Sequence, residues 1–183
     1  MTRINPLFLT LLAMAVSYPA QASAGPITFD CDVPADNYSS VSQDVGGPMK
    51  IEGSVQLVRT RSGANLPVAG ARLVSSDGNN SVGFQIVVPR PRATRFDIIL
   101  YLKRGDDMKR ATVTQLETEA SVPFNLSISD TGKVALAIGG KDFNADFIPL
   151  SAGKAMAFCS TAQFKFAGLL FHQDSNVTAT SIH

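Results

Sequence analysis

The sequence contains no tryptophan, two histidines and two cysteines in 183 residues. Each scarcity closes off some chemistry. Both histidines, His172 and His183, stand near the C-terminus, so a serine–histidine–aspartate relay would rest on His172 alone. No G-x-S-x-G turn accompanies it, and His172 reads as a surface residue ending the last strand. The cysteines form no C-x-x-C pair and have no histidine nearby, which argues against a redox dithiol or a zinc site. Charge of one sign is also lacking. Sixteen Lys and Arg stand against fifteen Asp and Glu, too even a balance to predict a nucleic-acid partner or a polybasic membrane contact. Beyond the N-terminus no apolar run approaches the roughly 20 residues that cross a bilayer as a helix.

What is present begins with an address. Arg3, an apolar run over 6–16 and the small residues Ala22-Ser23-Ala24 follow the order of a secretory signal peptide, 1–24. Cleavage after Ala24 would leave about 160 residues, one domain by size, over 25–172. The polar, aperiodic stretch 173–183 reads as a frayed tail. Export implies the periplasm or the extracellular space, where an even cysteine pair reads as a disulfide, here Cys31 with Cys159. A loop of about 130 residues gives such a bridge up to roughly 5 kcal/mol in the chain-entropy account. Met156 and Phe158 read as inward-facing. That would put Cys159 on the other side of its strand and the bridge on the surface.

Period-two alternation dominates. Ile51, Val55 and Leu57 form one row; Val82, Phe84, Ile86 and Val88 another; Phe96, Ile98, Leu100 and Leu102 a third. Val122, Phe124, Leu126 and Ile128 follow, then Val134, Leu136 and Ile138, then Phe143, Ala145 and Phe147, and lastly Phe164 and Phe166. Turn signals such as Asp77-Gly78, Arg104-Gly105-Asp106, Asp130-Thr131-Gly132 and Gly139-Gly140 separate the rows and predict antiparallel neighbours. The segment 43–48 reads as a loop. About ten strands make an all-β sandwich or a barrel.

The most regular stretch decides between them. Val122-Pro123-Phe124-Asn125-Leu126-Ser127-Ile128, a glycine turn and Val134-Ala135-Leu136-Ala137-Ile138-Gly139-Gly140 make a hairpin. Phe164-Lys165-Phe166 and Leu169-Leu170 then close the chain. Over 122–171 this order resembles the concanavalin A-like jelly roll, including laminin-G-type modules. The resemblance implies an antiparallel β-sandwich.

Three groups of residues are candidates for chemistry. Glu117 and Glu119, two apart on a strand, would stand about 6.5–7 Å from each other. Glycosidases of the concanavalin A-like fold carry a third acid in an E-x-D-x-E strand, which 115–121 lacks. Asp142, Asn144 and Asp146 share one strand face and could offer oxygens to Ca²⁺, although an extended strand spreads them apart. No other cofactor is implied. Arg90, Arg92 and Arg95 begin a basic segment that continues through Lys103, Arg104, Lys109 and Arg110, a surface suited to anionic glycans. Tyr101, on the polar side of its strand, is the most promising aromatic contact, and its replacement by Ala is expected to weaken binding without unfolding. These features favour a non-catalytic binding module for an envelope or extracellular glycan. The alternatives are an assembly subunit of the envelope or, less well supported, a hydrolase.

Overall fold

The computed structural model describes residues 25–90, 92–118 and 120–172. The expected leader 1–24, Glu119 and the expected tail 173–183 lie outside the described residues. Twelve strands form within them: β1 Ile27–Asp32, β2 Tyr38–Gly46, β3 Met49–Thr60, β4 Val68–Ser75, β5 Asn80–Val87, β6 Arg95–Arg104, β7 Asp107–Glu117, β8 Val122–Ile128, β9 Lys133–Ile138, β10 Lys141–Asp146, β11 Ala152–Ser160 and β12 Ala162–His172. Sheet A has the order β1-β12-β3-β8-β9-β10, and sheet B the order β2-β11-β4-β5-β6-β7. Every pairing is antiparallel. The two sheets stack as a sandwich.

The rows of apolar residues read from the sequence supply the inner faces. Phe164 and Phe166 of sheet A are fully buried, as are Phe84 and Phe96 of sheet B, and β4 and β11 of sheet B face sheet A with Ala69, Ala71, Ala155 and Ala157. Alanine on one sheet leaves depth for phenylalanine from the other, which is how two twisted sheets reach close packing. Phe124 stands at the centre, 5.0 Å from Phe84 and edge-on to Phe166 at 6.4 Å. Turns fall where glycine was expected. Gly132, at φ 80°, admits the Phe147 carbonyl so closely that a Cβ would stand 2.2 Å from its oxygen, and Phe147 N donates to Gly132 O.

Two expectations are corrected. The segment 43–48 is mostly strand, because Gln43 and Gly46 pair with Ala155 and Ala152, leaving only Gly47-Pro48 between β2 and β3. As an edge strand β2 buries little beyond Val45, so its pattern is polar. More consequential is β11. Cys159 points inward and is fully buried, Cys31 is 1% exposed, and their disulfide links β11 of sheet B to β1 of sheet A across the core. Met156 and Phe158, on the opposite parity, therefore face out.

A bridge buried between sheets resists reductant until the domain opens. Replacing both cysteines by alanine is expected to lower unfolding free energy by about 2–5 kcal/mol in urea melts. Rapid reduction in native buffer with unchanged stability would contradict the core placement.

Candidate functional site

The inward residues of sheet B are Ala155, Ala157 and Cys159 on β11, Ala69, Ala71 and Leu73 on β4, Val82, Phe84 and Ile86 on β5, and Phe96, Ile98 and Leu100 on β6. Their neighbours in sequence face the other way, and the strand register arranges these in rows. One row runs Ser42, Met156, Arg72, Gly83, Tyr101, Arg110 from β2 to β7. The adjacent row runs Ser40, Phe158, Gly70, Gln85, Ile99, Thr112.

Two glycines set the relief of this face. A Cβ at Gly83 would lie 2.5 Å from Tyr101 Oη, and one at Gly70 would lie 3.0 Å from Phe158 Cζ. Each aromatic ring thus lies across the glycine paired with it on the next strand, a packing that only a missing side chain permits. As a result Tyr101 is 5% exposed although it points away from the core. Burial pushes its phenol up to about 12, with the Arg72 and Arg110 charges acting in the opposite direction.

Arg72 occupies the middle. Its Nε donates to Met156 Sδ at 3.2 Å, and its Nη2 reaches the same sulfur at 3.0 Å and Tyr38 Oη at 3.3 Å. The guanidinium carbon stands 5.5 Å from the Phe158 ring centroid, and the group also meets the Tyr101 phenol. Tyr38 stacks on Phe158 at 5.9 Å and is 52% exposed. Among the described residues no carboxylate pairs with Arg72.

Three-dimensional likeness fits this architecture. Similar solved structures include the carbohydrate binding module CBM66 from Bacillus subtilis, at 9% identity over 82% of this chain and 97% of that one, with a TM-score of 0.51. Galectin LEC-6 of Caenorhabditis elegans is 11% identical over 80% of this chain and 96% of its own, with a TM-score of 0.52. The Crh5 transglycosylase in complex with NAG reaches 0.56 at 10% identity, over 85% of this chain and 78% of that one. The fold is the concanavalin A-like jelly roll. No family model and no curated protein sequence matches the chain.

The jelly roll disperses most of the residues singled out from sequence. Tyr101 faces the expected side, but its burial corrects the expectation for Tyr101→Ala. Removing a ring this enclosed costs about 3 kcal/mol or more, so that variant tests folding first. Arg90 and Arg92 are exposed in the β5–β6 connection, and Arg95 Nε donates to Glu117 Oε1 at 2.8 Å. Arg95 stands roughly 20 Å along β6 from Tyr101, so the structure does not bring these three arginines to it. Asp142, Asn144 and Asp146 lie in line on the outer face of edge strand β10, and Asp146 is paired with Lys133. Among the described residues no three His, Cys, Asp or Glu side chains gather as a metal site. Arg72, Met156 and Phe158 had escaped notice as site residues. The signal for the latter two was the parity of Cys159.

The outer face of sheet A holds a second polar group. Glu52 accepts from Asn125 Nδ2 at 3.1 Å and pairs with Lys50 at 2.7 Å. His172 Nε2 lies 3.0 Å from Glu52 Oε1, off the axis of an N–H bond. The Lys50 hydrogen bond first, then the His172 contact, hold the Glu52 carboxyl below the usual carboxylate range. Its partners are all internal.

The Tyr101 packing has a measurable consequence. With a folded value near 12 against 10.0 unfolded, the folded state keeps a proton that the unfolded chain loses. Stability is therefore whole below pH 10 and falls by roughly 3 kcal/mol as pH rises to about 12. Tyr101→Phe should abolish that slope in melts taken across the range. An unchanged slope would contradict the enclosed phenol.

Proposed function

We propose that this protein is a non-catalytic carbohydrate-binding module working in the periplasm or outside the cell, and that it takes its glycan on the outer face of sheet B around Tyr38 and Arg72. The observation that carries this reading is the outward turn of Met156 and Phe158 on an interior strand, with the exposed Tyr38 ring stacked beside them. Met156 is half-buried and Phe158 is 6% exposed beneath Tyr38 and Arg72, so Tyr38, at 52%, carries the aromatic surface open to solvent. Tyr38 offers a flat face for the C–H side of a sugar ring. The Arg72 fork and the hydroxyls of Ser40 and Ser42 offer hydrogen bonds for its oxygens. Fold likeness to a carbohydrate binding module and a galectin supports the choice of ligand class but does not carry it alone.

The fate of the carboxylates supports binding over hydrolysis. Asp97 and Glu117, diagonal neighbours on β6 and β7, are each taken up. Gln115 Nε2 donates to Asp97 Oδ1 at 2.7 Å, and Arg95 holds Glu117. Glycosidases instead keep two acids roughly 5–9.5 Å apart around the scissile bond. Export is supported by the disulfide, a bond that persists in oxidising compartments.

A glycan array of the mature protein, run with calcium and with EDTA, tests the reading. Binding is expected in both runs, and Tyr38→Ala should weaken it by about tenfold while shifting stability little. Binding lost in EDTA would move the site to Asp142, Asn144 and Asp146. Sugar release that vanishes in Glu117→Gln would make the protein a hydrolase, and silence in both runs would favour an assembly subunit.

A further inference from the structure

We infer that the glycan is acidic, and that Arg72 is the residue that receives a carboxylate or sulfate carried by one of its sugars. The inference rests on the reading of the sheet B face as the glycan site and adds the chemical class of what it takes.

Arg72 is charged at every accessible pH, and it is only partly exposed. A guanidinium in that position is ordinarily neutralised by a carboxylate, yet its neighbours are the Met156 sulfur, the Phe158 ring, and the phenols of Tyr38 and Tyr101. None of these carries negative charge at neutral pH. Sulfur and phenol oxygen are weak acceptors for a cation, so the partners orient the fork without satisfying it. What remains is a planar, partly exposed guanidinium on the outer face of sheet B, a group that can bind a carboxylate or a sulfate with parallel hydrogen bonds once these weak acceptors give way.

The surroundings repeat the sign. Arg110 ends the same cross-strand row beyond Tyr101, and its Nε donates to the Met108 sulfur at 2.9 Å. Three strand spacings separate it from Arg72, about 14 Å. On the neighbouring row Lys154 of β11 stands opposite Asp44 of β2, and Lys103 of β6 lies three strands on from Lys154. A glycan with charge on more than one sugar would meet Arg72 in the middle of the row and Arg110 at its β7 end. A neutral glycan would leave Arg72 without a counter-charge among the described residues.

Calorimetric titration with three probes tests this: hexagalacturonate for carboxylate, a heparin-derived hexasaccharide for sulfate, and cellohexaose as the neutral control. At least one acidic probe should bind about tenfold or more tightly than cellohexaose, and its affinity should fall as salt rises. Arg72→Met keeps the length and the contact with Phe158 and should cost that acidic probe about tenfold or more. Arg72→Lys, which keeps charge without the fork, should recover only part. Cellohexaose binding that is lost in Tyr38→Ala, with the acidic probes no tighter, would overturn the acidic preference while leaving the glycan site intact. An Arg72→Met variant that stays folded and binds the acidic probe unchanged would also overturn it. Failure of all three probes would overturn both readings.

Discussion

The side chain of Cys159 points into the space between the sheets, where it meets Cys31, and β11 has no freedom to present its residues otherwise. Alternation along a strand is strict. With Cys159, Ala157 and Ala155 turned to the core, Phe158 and Met156 are committed to the outside, in the interior of sheet B. The bridge thus does more than restrict the unfolded chain. It sets the polarity of the strand that builds the candidate site, and a slip of one residue would bury Met156 and Phe158 and expose the sulfurs.

The rest of the face follows from that orientation. Phe158, once outside, needs a flat bed and finds it over Gly70, and Tyr101 finds the same over Gly83. Arg72, paired with Gly83 and two residues along β4 from Gly70, is then enclosed by sulfur and aromatic rings. A half-covered cation among soft partners is an unusual surface element, because desolvation costs it energy that weak acceptors only partly return. Its arrangement makes sense where a ligand completes it.

Much of the sandwich could be read along the chain. Rows such as Val82-x-Phe84-x-Ile86 and Val122-x-Phe124-x-Leu126-x-Ile128 face a single core, so burial and hydropathy agree in them. Strands β2 and β4 hid for opposite reasons. β2 lies at an edge and buries little, while β4 meets the bulky sheet A with Ala69 and Ala71, which alternation scarcely distinguishes from loop. The site was less legible still. Met156 and Phe158 look like core by hydropathy, Arg72 belongs to no motif, and Gly70 and Gly83 acquire meaning only once register pairs them with aromatics. Local pattern reports burial on one strand, whereas this face is assembled from residues on six.

The central claim is that a glycan sits on the outer face of sheet B. Amide and methyl chemical-shift mapping of the bound state tests it most directly. The account predicts shifts concentrated on Tyr38, Ser40, Ser42, Arg72 and Met156, with the outer face of sheet A around Glu52 and His172 unmoved. Shifts centred on Glu52, Asn125 and His172, or on the β9–β10 edge, would contradict it.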